Sequence, residues 1–141
     1  MSGIAPVKIQ WVGQSDAKGC VIACIAMVLG WEYGDVASEF QNDFSKKGTN
    51  TDFAKDFICD HGFSVIEKRG GGWIDLREHN KRMMIPFAPI HIVTVQQFID
   101  RPKHNHSFVM GHQGKIYEPG DKACTKLLYY SVQHVMGFFK T

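Results

Sequence analysis

The sequence predicts an α+β fold, with an N-terminal helical part packed on a C-terminal antiparallel sheet. Three observations predict it. A strongly apolar segment with helical spacing, Cys20 to Leu29, stands near the start. Helix-type patterns follow up to Gly62, and β-branched, turn-bounded segments dominate the rest. Glycine, threonine and asparagine stand where helices should begin and end.

The first helix should run from about Cys20 to Leu29 and stop at Gly30. It is apolar nearly all round, so it should be the buried centre of the fold. A short second helix is expected over Gly34 to Phe40, with Val36, Ala37 and Phe40 on one face. A third should start near Thr51, capped by Asn50 or Thr51. It should turn Phe53, Phe57 and Ile58 inward and end at Gly62. Phe63 to Glu67 reads as a strand, Gly70-Gly71-Gly72 as a flexible loop anchored by Trp73, and Asp75 to Arg82 as a short polar helix. Ile90 to Val95, preceded by Pro89, is a β-branched strand. Phe98 to Asn105 reads as a polar connection. Ser107 to Gly111 and Lys115 to Glu118 read as two strands joined around Gln113-Gly114. The pattern from Leu127 to Phe139 is ambiguous, with a closing strand over Val135 to Phe139 as one reading.

A chain of 141 residues, 44% hydrophobic and 12% aromatic, predicts one folded domain spanning 1–141 with a substantial core. A formal charge of +2 gives no basic stripe, so nucleic acid is not an expected partner. The first residues, Met1 to Lys8, lack the pattern of a secretory signal, and no apolar run reaches the length of a membrane span. Four cysteines at irregular spacing do not read as a disulfide scaffold; reduced thiols in a cytoplasmic protein are the expectation. No metal or other cofactor is expected, because no paired Cys-x-x-Cys ligand clusters occur. Oligomeric state is left open.

The chemistry concentrates on Cys20. A thiol at a helix start meets the exposed N–H groups of the first turn and the positive end of the helix dipole, which favour thiolate. Gln14, six residues earlier, offers an amide donor where an oxyanion hole needs one. A general base must come from elsewhere, and His106 is the best candidate because the apolar stretch Ser107-Phe108-Val109-Met110 begins right after it. His104 is the alternative, since residues two apart on a strand point the same way. Cys24 is expected to pack in the core, and Cys59 and Cys124 have no basic partner. His91 is expected to be a satisfied core histidine, His112 an exposed turn residue, and His61 a helix-end residue. Trp11 and Trp31 should pack at the edge of the core.

Several segments also resemble the bacteriocin-processing cysteine peptidases, papain-like domains that cut after a double-glycine leader. QSDAKGCVIACIAMV resembles the segment carrying that family's nucleophile. HSFVM resembles its histidine strand, GKIYEPG the following strand, and the stretch from Thr51 to Phe63 its middle helix. Pro89-Ile90-His91-Ile92 resembles the strand before the histidine. The resemblance implies a stand-alone papain-like domain with Cys20 as nucleophile, Gln14 as oxyanion donor, His106 as base and then acid, and Glu118 as the group that orients His106. The implied substrate is an extended peptide or protein cut after small residues such as Gly-Gly.

The sequence departs from the family at Gly19-Cys20-Val21, where Asp-Cys-Gly is usual, and at Glu118, where Asp is usual. Asp121 is therefore a rival orienting acid. Two further readings stay open. One is an amidase or acyl transferase using the same Cys/His pair. The other is an inactive papain-like domain that binds a peptide or small molecule.

Overall fold

The computed structural model describes residues 8–15, 19–40, 50–75, 85–97, 104–112, 114–120 and 129–141. Of Trp73 and His104 only the backbone is described. The expectations for 76–82, for the 98–103 connection, and for Gln113, Asp121 and Cys124 fall outside these residues.

The fold is mixed α+β. Among the described residues three helices, α1 (Cys20–Leu29), α2 (Tyr33–Glu39) and α3 (Thr51–Cys59), precede five strands. These are β1 (Phe63–Asp75), β2 (Ile90–Gln97), β3 (His104–Gly111), β4 (Ile116–Tyr117) and β5 (Tyr129–Lys140). They form one antiparallel sheet in the order β1-β5-β2-β3-β4.

Every residue of α1 from Val21 to Val28 is buried. Each large aliphatic side chain so removed from water contributes about 1.5–3 kcal/mol. The helix ends where Gly30 adopts the left-handed conformation, φ 72°, that its lack of a Cβ permits. α3 begins on Asn50, whose Oδ1 accepts a hydrogen bond from the Phe53 N–H at 2.9 Å. It buries Ala54 and Ile58, and Phe57 partly. Phe53 points the other way and is 52% exposed, correcting the expectation that it faces inward. It stands in the first turn, about 100–140° round the helix from Ala54 and Ile58.

The sheet is covered on both faces, as its alternating pattern requires. Ile90, Ile92, Val109, Met136 and Phe138 pack toward the helices. Val93, Val95, Phe108, Met110 and Val135 pack on the other face with Ile85 and Ala88. On that second face His91 is fully buried and satisfied. Its Nδ1 donates to the Met110 carbonyl at 3.1 Å, and its Nε2 accepts from the Ile85 N–H at 3.0 Å. Burial lowers its pKa, which suits this neutral, two-bonded state.

One sequence reading is corrected, and the closing strand read over Val135 to Phe139 proves longer; a register shift accompanies each. Gly70-Gly71-Gly72 is not a loop but part of β1, where the register with β5 shifts between Arg69 and Gly72. Gly70 takes φ 79° there, a conformation open to glycine. β5 is long and lies inside the sheet between β1 and β2. Its pairing with β2 shifts between Thr94 and Val95, so Val132 and His134 serve opposite faces although they are two apart. His134, buried on the helix side, bonds Glu67 Oε1 at 2.7 Å and Thr51 Oγ1 at 3.4 Å, and so ties β1 and β5 to the start of α3. Burial would raise the Glu67 pKa; hydrogen bonds from His134 and Lys55 bring it below the ordinary value.

Candidate active site

Cys20 is the first residue of α1, and Gly19 before it offers no capping side chain. The first-turn N–H groups point toward the Cys20 end, Gly19 places no side-chain acceptor on them, and no acidic residue occupies the first turn. Cys20 is partly exposed, whereas Cys24, one turn on, is fully buried. Burial pushes the Cys24 thiol up, and the neighbouring Cys20 and Glu118 push it further, so Cys24 stays protonated as a core side chain.

The base and its partner come from one hairpin. The Gly111 N–H bonds the Lys115 carbonyl at 2.9 Å, and Gly114, at φ 89°, closes the turn. The ladder then pairs Met110 with Ile116 and Val109 with Tyr117. Glu118 follows Tyr117, the last residue of β4. Its Oε1 lies 2.5 Å from His106 Nε2.

His106 faces Cys20 as well as Glu118, and hydrogen-bonds both side chains. With Nε2 committed to Glu118, Nδ1 is the ring nitrogen left for sulfur. Burial disfavours the charged ring, but the bonds to Cys20 and Glu118 and their charges outweigh it and lift the His106 pKa to about 10. An imidazolium beside sulfur is the arrangement that makes a thiol a nucleophile near neutral pH.

Glu118 is 3% exposed. Its Oε1 also accepts the Gly120 N–H at 2.8 Å. Its Oε2 is buried and accepts no hydrogen bond from the described residues.

Gln14 is brought to this corner by its own backbone, whose N–H donates to the Pro119 carbonyl at 3.1 Å. A methyl placed on Gly120 would lie 3.4 Å from Glu118 Oε1 and 3.6 Å from Gln14 Oε1, so both side chains crowd the same glycine. A further link was not foreseen from the sequence: the Trp11 indole N–H donates to the Glu118 carbonyl at 2.7 Å. Nothing in the spacing of Trp11 and Glu118, 107 residues apart, signals this bond.

The structure thus brings Cys20, His106, Glu118 and Gln14 to one corner. His104 heads β3 opposite Gln97, two residues beyond the ring that meets sulfur. Among the described residues no three His, Cys, Asp or Glu side chains cluster as a metal site. No single described helix is long and apolar enough to cross a membrane. No family model and no curated protein matches the chain.

Proposed function

We propose that this chain is a cysteine peptidase of papain-like architecture, acting on an extended peptide. The observation that carries the reading is one continuous polar relay: Cys20 at a helix N-terminus, His106 bonded to it, and Glu118 bonded to His106.

In the proposed reaction the Cys20 thiolate attacks the scissile carbonyl carbon. A C–S bond forms and the carbonyl electron pair moves onto oxygen. The Gln14 amide and the N–H groups at the start of α1 stabilise that oxyanion. His106 gives its proton to the amide nitrogen, the C–N bond breaks, and the amine leaves. The neutral imidazole then takes a proton from water as the hydroxyl adds to the thioester. Collapse of that adduct releases the acid and restores the thiolate–imidazolium pair. Glu118 keeps the ring oriented and its charge stabilised throughout.

Cys20, Cys24 and Cys59 are all free thiols, which supports a reducing, cytoplasmic setting. Small residues beside the scissile bond suit a site whose first helical turn carries Val21 rather than glycine.

The deciding experiment is labelling with a thiol-directed electrophile near neutral pH, read by peptide mass mapping. Cys20 should react at least tenfold faster than Cys59, and Cys20→Ala should abolish cleavage of a Gly-Gly-containing peptide panel. Equal labelling of the two thiols would remove the basis for the reading. Selective labelling with turnover of non-peptide amides alone would reassign the same chemistry to an amidase.

A further inference from the structure

Residues 8–15 form no helix or strand, yet Ile9, Trp11 and Val12 pack on the helix-side core. This segment clasps the 118–120 turn at two points, through Trp11 to the Glu118 carbonyl and through the Gln14 N–H to the Pro119 carbonyl. The benzo edge of the Trp11 ring lies against Gly13. A methyl on Gly13 would come within 2.6 Å of the indole edge, closer than atoms can approach. Gly13 is therefore what lets the ring lie where its N–H meets Glu118.

We propose that Trp11 is a positioning residue for the site, fixing the Glu118 peptide so that the carboxylate stays on His106 and locking the Gln14 loop to the same turn. The inference rests on the peptidase reading and adds to it the group that joins the nucleophile-side loop to the base-side hairpin. The indole N–H holds a main-chain carbonyl whose own side chain holds the catalytic ring. A lost bond of this kind frees the Glu118 peptide to rotate, and a contact of 2.5 Å to His106 leaves little slack. The role proposed for Trp11 acts through Glu118 and not on the reacting atoms.

The test uses Trp11→Phe, which keeps a ring on Gly13 and deletes the N–H, and Gly13→Ala, which keeps the N–H and displaces the ring. Two readouts are needed: the ¹⁵N NMR titration of the His106 ring, and kcat and KM on a cleaved peptide. Both variants should move the His106 midpoint down from its wild-type position and lower kcat about tenfold, with KM within about twofold. Unchanged His106 titration in both folded variants would overturn the proposal, as would a loss of melting temperature with the titration intact. If one variant does not fold, the other decides. If the wild type cleaves nothing, the peptidase reading fails, and the NMR titration still tests whether Trp11 controls the Glu118–His106 pair.

Discussion

Glu118 and His106 hold each other, Oε1 to Nε2 at 2.5 Å, while the second carboxylate oxygen is buried without a hydrogen bond from the described residues. The carboxylate therefore depends on the ring as much as the ring depends on it. His106→Ala should destabilise the protein by about 3 kcal/mol, because an uncompensated charge is left in the interior. Adding Glu118→Gln should recover most of that loss. Urea denaturation of the two single variants and the double variant measures the coupling; additive losses would contradict it.

The His106 pKa of about 10 fixes the sign of the alkaline behaviour. A raised folded pKa stabilises the fold fully below the ordinary value of 6.5, and that contribution is lost as pH rises through about 10. The proton needed by the leaving amine is lost over the same range. The kcat/KM profile should therefore descend near pH 10, and in Glu118→Gln the descent should move to lower pH. Stopped-flow peptide cleavage from pH 7 to 11 reads it directly.

The reach of Glu118 gives a prediction about chain length. Glu118→Asp retains the charge but is one methylene shorter than the side chain that meets His106 at 2.5 Å, so kcat should drop at least about tenfold while the fold survives. Wild-type turnover in Glu118→Asp would mean that the ring is oriented by another group, with Asp121 the first to test.

Gln14→Ala removes the side-chain donor and leaves the Gln14 N–H bond to Pro119 in place. Loss of one oxyanion donor typically costs about 10²–10³ in kcat. KM should stay within about threefold, and the rate of Cys20 alkylation should be nearly unchanged, since alkylation forms no oxyanion. Comparison of the two rates separates donor loss from collapse of the site.

Cys24 makes a control on the same helix. Fully buried and held protonated, it should resist the electrophile until the protein is unfolded. Cys24→Ala should leave kcat intact and cost about 1–2 kcal/mol in melting experiments through lost packing.

The sequence made the helical part readable because α1 and α3 carry their own stop and start signals, Gly30 and Asn50, and the all-round apolar face of α1 demands burial. β2 was equally plain, since both of its faces are buried and β-branched. β5 and β1 were not. A bulge flips the facing of Val132 relative to His134, which breaks the alternation in β5 that a strand is recognised by. The glycines of β1 read as a loop because a register shift with positive φ uses the residues that loops use. Three residues of the corner, Cys20, Gln14 and His106, were legible from residue types and spacing, and Glu118 through the resemblance. Trp11 and the His134–Glu67 pair were not, because each partnership joins segments more than 60 residues apart and leaves no local mark.

The division of the site between two continuous stretches of chain has a consequence for the newly made protein. Sulfur and amide donor leave the ribosome early, on residues 14 to 20; ring and carboxylate follow nearly ninety residues later, on 106 to 118. Until the hairpin docks, the thiol has no imidazole beside it. On the proposed reading, hydrolytic power would be switched on by completion of the tertiary structure itself.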